Sequence, residues 1–292
     1  MLSVIPDLHA DPQRLLDTLA RIGRYNRIAL LGDLIDAGKN VRHPSDRAVL
    51  SMARELVDNG RAVAIMGNHE LNAILFHRLG PGGPLRERST KNLKQHWSFV
   101  ADFGIGTTAA LEWTNWFLDT LPLWREIDGL RLVHAYWSER LIAIVAARRP
   151  DGYLREEDLP EIAEGRSEFA TAVKLLVSGP EFPLPGNGRI TDNSGHRRSE
   201  IRLAWWKSAP ATWKDAALSV ARPEEIPDGW VPPEYLQGLE TGSLPIVFGH
   251  YKIAGEPCLL DATAACLDFP ARPCFLTWRG GEKIEAEDVI TV

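Results

Sequence analysis

Arg27-Ile-Ala-Leu-Leu-Gly-Asp-Leu-Ile-Asp-Ala-Gly38 and Ala62-Val-Ala-Ile-Met-Gly-Asn-His-Glu70 are the two stretches whose reading decides the fold. Each is a short apolar run that stops at a glycine and delivers carboxylate, amide or imidazole groups immediately beyond it. Short apolar runs bounded by turn residues read as buried strands. Between them Ser45 can cap a helix whose apolar face is Val49, Met52, Ala53, Leu56 and Val57, and Gly60 stops it. Upstream, Leu2-Ser-Val-Ile5 is another strand candidate, followed at helical spacing by Leu15, Leu16, Leu19 and Ile22 before Gly23. This β-α-β-α-β rhythm predicts an α/β fold with parallel strands covered by helices. In such sheets ligands bind beyond the carboxyl ends of the strands.

The polar residues obey that rule along the whole chain. Asp7-Leu-His9 follows the first strand, Gly32-Asp-Leu-Ile-Asp-Ala-Gly38 the second and Gly67-Asn-His-Glu70 the third. Later, Leu130-Arg-Leu-Val133 runs into His134, and Pro245-Ile-Val-Phe248 into Gly249-His250. Taken alone, Asp7 with His9 reads as a strand-end turn, and Asp33 with Asp36 as loop caps. Their ordered conjunction reads as chemistry. Hydrolysing a phosphate ester needs a nucleophile at neutral pH and compensation of charge on the non-bridging oxygens. Two divalent cations held close together supply both. Such a pair needs a carboxylate spanning both ions, with imidazoles and further oxygens holding each one. Asp7, His9, Asp33, Asn68, His134 and His250 provide that inventory.

The order DxH, GDxxDxG, GNHE, a lone His and then GH resembles the calcineurin-like metallophosphoesterase superfamily. It is nearest the branch that holds serine/threonine protein phosphatases and bacterial diadenosine tetraphosphatases. Asn68-His-Glu-Leu-Asn-Ala73, Asn92-Leu-Lys-Gln-His96, Leu132-Val-His-Ala-Tyr-Trp137, Gly179-Pro-Glu-Phe-Pro-Leu-Pro185 and Phe248-Gly-His-Tyr251 resemble bacterial members of that branch. The resemblance implies a four-layer α-β-β-α sandwich of two mixed sheets flanked by helices. It implies that Asp7 and His9 bind a first metal, that Asp33 bridges both, and that Asn68, His134 and His250 complete the second site. His69 would be no ligand but the group beside the leaving oxygen, with Asp36 hydrogen-bonded to its imidazole. Manganese or iron suits the mixed nitrogen and oxygen donors, with zinc as a further option.

One departure bears on the substrate. The phosphatase branch reads GDxxDRG, whereas this chain has Ala37 in place of that arginine. Either another cation grips the phosphate or the substrate differs from a simple phosphomonoester; Arg86, Arg202 and Lys39 lead the candidates, with Arg88, Arg197 and Arg198 behind them, and bidentate recognition favours arginine. Three functions stay open: a phosphomonoesterase of the protein-phosphatase kind, a hydrolase of nucleotide pyrophosphates or dinucleoside polyphosphates, and a binding or regulatory module that has lost catalysis. The expected partner is a phosphorylated small molecule, a nucleotide or a phosphoprotein. The sequence gives no oligomeric state.

Bulk properties narrow the partners. A net charge of −6 offers no general attraction to nucleic acid or an anionic membrane. No apolar run approaches the length of a membrane helix, and a cytoplasmic protein is expected. Cys258, Cys266 and Cys274 form no CxxC pair, which argues against a disulfide framework or cysteine zinc site. Residues 1–292 read as a single domain in which about 138–240 break the strand rhythm as an insertion over the active-site edge. The segments around Cys258–Leu260, Ala265–Leu267, Phe275–Trp278 and Ile284–Val292 read as antiparallel strands completing the second sheet.

Overall fold

A computed structural model describes residues 1–193, 195–207, 210–236 and 244–292; the last residues of the expected insertion, 237–240, lie outside them. The chain opens with β1 (Leu2–Ile5), α1 (Pro12–Arg21), β2 (Arg27–Leu30), α2 (Asp46–Asp58), β3 (Ala62–Ala64) and α3 (Asn68–His77). Local chemistry sets these boundaries. The Asp11 carboxylate accepts the Arg14 N–H at 3.0 Å with Pro12 opening α1, and Ser45 Oγ accepts the Ala48 N–H at 3.1 Å to start α2. There follow α4 (Thr90–Gln95), α5 (Trp97–Phe103), α6 (Thr108–Thr120), β4 (Trp124–Ile127) and β5 (Leu130–Val133). Helices α7 (Glu139–Ala146), α8 (Leu159–Glu164) and α9 (Glu168–Ser178) come next. The chain closes its sheets with β6 (Ile246–Phe248), β7 (Ala264–Cys266), β8 (Cys274–Trp278) and β9 (Val289–Thr291).

Two mixed sheets result. The first runs β9-β8-β1-β2-β3, with β1, β2 and β3 parallel and β8 antiparallel to β1, Leu2 facing Trp278 and Val4 facing Leu276. The second runs β7-β6-β5-β4, parallel except for the β4–β5 hairpin. Alternate strand residues divide between two cores, as the period of two requires. Leu2, Val4, Ala29, Leu31, Leu132, Val247, Leu276 and Trp278 meet between the sheets. Ile5, Ile28, Leu30, Val133, Ile246 and Phe248 face outward into the helices. Each large side chain buried this way contributes about 1.5–3 kcal/mol. The four-layer sandwich of two mixed sheets is the architecture expected.

The C-terminal strands depart from expectation. β8 and β9 join the first sheet beside β1, and only β7 extends the second, parallel to β6. Residues 258–260 form no strand. The segment 139–178 carries α7, α8 and α9, and its buried Val145, Phe169, Val173 and Leu176 belong to the main core. Beyond it, Leu184, Ile190, Ile201, Leu203, Trp213 and Val231 build a small core of their own around the strands Glu181–Pro183, Glu200–Leu203 and Ala217–Leu218. No helix among the described residues is long and apolar enough to cross a membrane.

Candidate metal centre

The strand ends of both sheets converge on one buried point. Asp7 and His9 follow β1, Asp33 and Asp36 follow β2, Asn68 and His69 open α3 after β3, His134 follows β5 and His250 follows β6. Several of these residues hold left-handed backbone, with φ of 47° at His9, 48° at Asp33, 65° at Asp36 and 73° at His250. Such conformations cost about 1 kcal/mol or more in side-chain-bearing residues and persist where surrounding structure enforces them. Glycine serves where the approach is closest: a Cβ at Gly249 would collide with the Asp7 carboxylate, and one at Gly67 with that of Asp33.

Donor atoms of His9, Asp33 and His69 lie within 4.8 Å of one another, as do those of Asp33, His134 and His250. Asp33 is common to both groups. Its Oδ2 is 3.3 Å from His134 Nε2, which is also 3.2 Å from Asn68 Oδ1. Its Oδ1 accepts the His69 amide N–H at 3.0 Å, at the start of α3. Asp7 lies 3.9 Å from His9 Nε2 and accepts the His250 amide N–H with both oxygens at 3.2 Å. His134 Nδ1 sits 2.7 Å from the Leu31 carbonyl oxygen, which fixes the Nδ1–H tautomer and turns the Nε2 lone pair toward Asp33.

The donor set fits divalent cations. Both ring nitrogens of His9 and Nε2 of His250 are buried without a hydrogen-bond partner among the described residues. Buried polar atoms are otherwise paired, because leaving one unpaired costs about 1–3 kcal/mol. Burial and the nearby Lys252 push the His9 pKa down to about 3, and burial with Arg202 holds His250 well below the usual range, so both rings offer neutral lone pairs. Burial, Asp268 and Asp33 push Asp7 up to about 8. His134 rises to about 10, because Asp33 and Asp7 outweigh the burial that opposes its charge. The packed carboxylates thus call for positive charge at this point, which a bound cation would supply in place of the His134 proton, and the neutral rings of His9 and His250 stand beside it.

His69 Nδ1 lies 2.7 Å from Asp36 Oδ2. Burial disfavours the charged ring, but Asp33 and Asp36 outweigh it and push the His69 pKa up to about 9. Of the cations expected to grip phosphate, Arg202 lines a cavity of about 200 Å³ over the centre, together with Arg198, Lys252, Gln95 and Asn193. Arg202 is paired there with Glu181 at 3.0 Å. Arg86 lines a neighbouring cavity of about 720 Å³ and bonds the side-chain oxygens of Asn72, Asn92 and Gln95. Lys39 is exposed and is not among the lining residues of either cavity.

Several neighbours of the centre were not singled out as site residues from sequence. Asp268, after β7, is buried beside Asp7 and accepts the Lys252 amide N–H at 2.8 Å. Lys252 lines the cavity and forms no ion pair among the described residues. Glu70, His77 and His96 are also buried here. The Glu of GNHE was a usable signal for Glu70 and the Asn92–His96 stretch for His96, whereas a lone His77 and one aspartate carry none.

The chain matches no curated relative in sequence. Its fold is similar to that of a protein serine/threonine phosphatase from Saccharomyces cerevisiae with similarity to human phosphatase PP5, at 11% identity and TM-score 0.50, covering 100% of this chain and 78% of that one. A metallophosphoesterase from Sphaerobacter thermophilus is 23% identical over 46% of each chain, with TM-score 0.30. A cold-active protein-tyrosine phosphatase of a psychrophile, Shewanella sp., is 14% identical over 97% of this chain and 80% of that one, with TM-score 0.43. The sequence profile of calcineurin-like phosphoesterases matches residues 2–250, and the chain therefore belongs to the calcineurin-like phosphoesterase family.

Proposed function

We propose that this phosphoester hydrolase works with two divalent cations and acts on phosphomonoesters, in the manner of a protein phosphatase. The observation that carries the reading is Asp33, a buried carboxylate common to two groups of metal-capable donors. Asp7 and His9 would hold one cation with Asp33, while Asn68, His134 and His250 would hold the other, manganese or iron suiting these donors and zinc being a further option. When bound, such a pair supplies an activated water and neutralises phosphate charge. His69 stands beside the centre with a proton to give the leaving oxygen, and Asp36 keeps its ring in the Nδ1–H orientation that points Nε2 inward. Lys252, Arg198 and Arg202 line the cavity above and supply the positive charge that Ala37 does not.

The single unit 1–292 carries its specificity in the segment between β5 and β6, whose strands supply Glu181, Arg198, Glu200 and Arg202 to that cavity. A second reading, hydrolysis of nucleotide pyrophosphates or dinucleoside polyphosphates, draws support from the larger neighbouring cavity. It shares Asn68, Glu181, Glu200 and Arg202 with the first and leaves room for a long leaving group.

A panel of phosphopeptide, p-nitrophenyl phosphate, its bis-ester and diadenosine tetraphosphate, assayed after manganese addition, separates the two. Preference for monoesters supports the first reading, and preference for the tetraphosphate replaces it with the second.

A further inference from the structure

Behind Asp36 runs a chain of buried hydrogen bonds that the proposed reaction does not use. Asp36 Oδ1 is 2.6 Å from His96 Nδ1, His96 Nε2 is 3.0 Å from His77 Nε2, and His77 Nδ1 is 3.0 Å from the Gly106 backbone nitrogen. Both histidines are buried, among Phe76 and Phe99.

The last link fixes all the others. A backbone N–H can only donate, so His77 Nδ1 accepts and its ring carries its proton on Nε2. That proton points at His96 Nε2, which must then accept, leaving the His96 proton on Nδ1 for Asp36. A protonated, cationic His96 would require His77 to have no ring proton at all. His96 is therefore neutral. The Asp36 carboxylate receives two N–H groups, from His69 at 2.7 Å and from His96 at 2.6 Å, without a second positive charge beside it.

We propose that His96 and His77 are positioning residues for the reaction, a tautomer-fixed relay from the Gly106 amide that locks Asp36 and, through it, the ring of His69. This rests on His69 being the group that protonates the leaving oxygen. Packing alone does not explain the pair. In a pocket walled by Phe76 and Phe99 a phenyl ring would fill the space without desolvating ring nitrogens. Here all four ring nitrogens are instead matched in sequence, and such buried networks stabilise one geometry only when fully satisfied. The relay ties together four places in the chain: the loop after β2, the end of α3, the α4–α5 junction and the turn before α6.

The test compares the metal-loaded wild type with His96→Phe, His96→Asn and His69→Asn on phenyl phosphate and p-nitrophenyl phosphate. The asparagine amide can donate to Asp36 where Nδ1 does, and the phenyl ring cannot. Phenolate, the poorer leaving group, depends more on proton donation. His96→Phe should therefore lose about tenfold or more in kcat on phenyl phosphate beyond any loss on p-nitrophenyl phosphate, with metal content unchanged. His96→Asn should recover most of it, and His69→Asn should show the same bias more strongly. Equal losses on both esters for His96→Phe, with the bias present in His69→Asn, would overturn the relay and leave the role of His69 standing. Absence of the bias in His69→Asn would overturn the role of His69 and the relay with it. Should His96→Phe not fold, nitrogen-15 spectra of the zinc-loaded wild type decide: His77 protonated on Nε2 and His96 on Nδ1 are expected, and the opposite tautomers contradict the relay.

Discussion

Glu70 accepts the backbone N–H of Asp33 at 2.9 Å through the same oxygen that accepts the Gly67 N–H at 3.0 Å. Its other oxygen accepts the Leu34 N–H at 2.8 Å. One fully buried carboxylate thus ties the loop after β2 to the start of α3 and sets where the shared Asp33 points. Glu70→Ala leaves three buried N–H groups without an acceptor. It should lower the free energy of unfolding by on the order of 3 kcal/mol or more, read from urea denaturation, and weaken metal retention on dialysis. Wild-type stability together with full metal retention would show that the clamp is dispensable.

Asp33→Asn removes a charge on which both groups of donors depend. Both cations should be lost together and turnover abolished, while circular dichroism shows the fold retained. Loss of a single cation equivalent would mean that Asp33 serves one site only.

The cavity cations divide by their partners. Lys252 has no ion pair among the described residues, whereas Arg202 is shared with Glu181 at 3.0 Å. Lys252→Ala should raise KM for p-nitrophenyl phosphate by about tenfold, equivalent to about 1.4 kcal/mol, with a smaller rise for Arg202→Ala. The reverse order in steady-state kinetics would make Arg202 the principal phosphate contact.

Asp46 shows how the loop after β2 is held from its other side. Its Oδ1 accepts the Asp36 N–H at 2.8 Å, and burial raises its pKa from 3.8 to about 6, with Ser98 and the Asp36 N–H only partly opposing it. Because the folded-state value lies above the unfolded one, the contribution of Asp46 to stability is complete below about pH 4 and declines as pH rises through about 6. Asp46→Asn keeps an oxygen for Asp36 and removes the ionisation. Relative to the wild type it should gain about 2–3 kcal/mol between about pH 4 and pH 7. Parallel pH–stability curves for the two proteins would contradict this.

Much of the centre was legible because parallel strands bring their carboxyl ends to one side of a sheet. Once β1, β2, β3, β5 and β6 could be recognised as apolar runs, Asp7, Asp33, Asn68, His134 and His250 had to gather. The placement of Trp278 against Leu2 was not legible. An alternating run announces a strand but not its partner, and this pairing joins residues from opposite ends of the chain. For the same reason the sequence did not show that the apolar faces of α7 and α9 share a core with Val133 of β5 and with Ile246 and Phe248 of β6. The Asn92–His96 stretch marked His96 as a residue that could face the pocket, but its link to Asp36 stayed hidden, as did His77 altogether, because their meaning depends on Asp36 and Gly106, which lie far off in sequence. The arginine missing at Ala37 was visible at once. The lysine facing the same cavity was not, since its place depends on the turn after His250, where Lys252 itself holds a φ of 51°.

A pair of cations organised around Asp33 would show itself in elemental analysis of the purified chain after manganese loading and gel filtration, with p-nitrophenyl phosphate turnover followed on the same sample. About two metal ions per chain are expected, with turnover that chelation removes and metal restores. No retained metal, together with turnover indifferent to chelation, would contradict it.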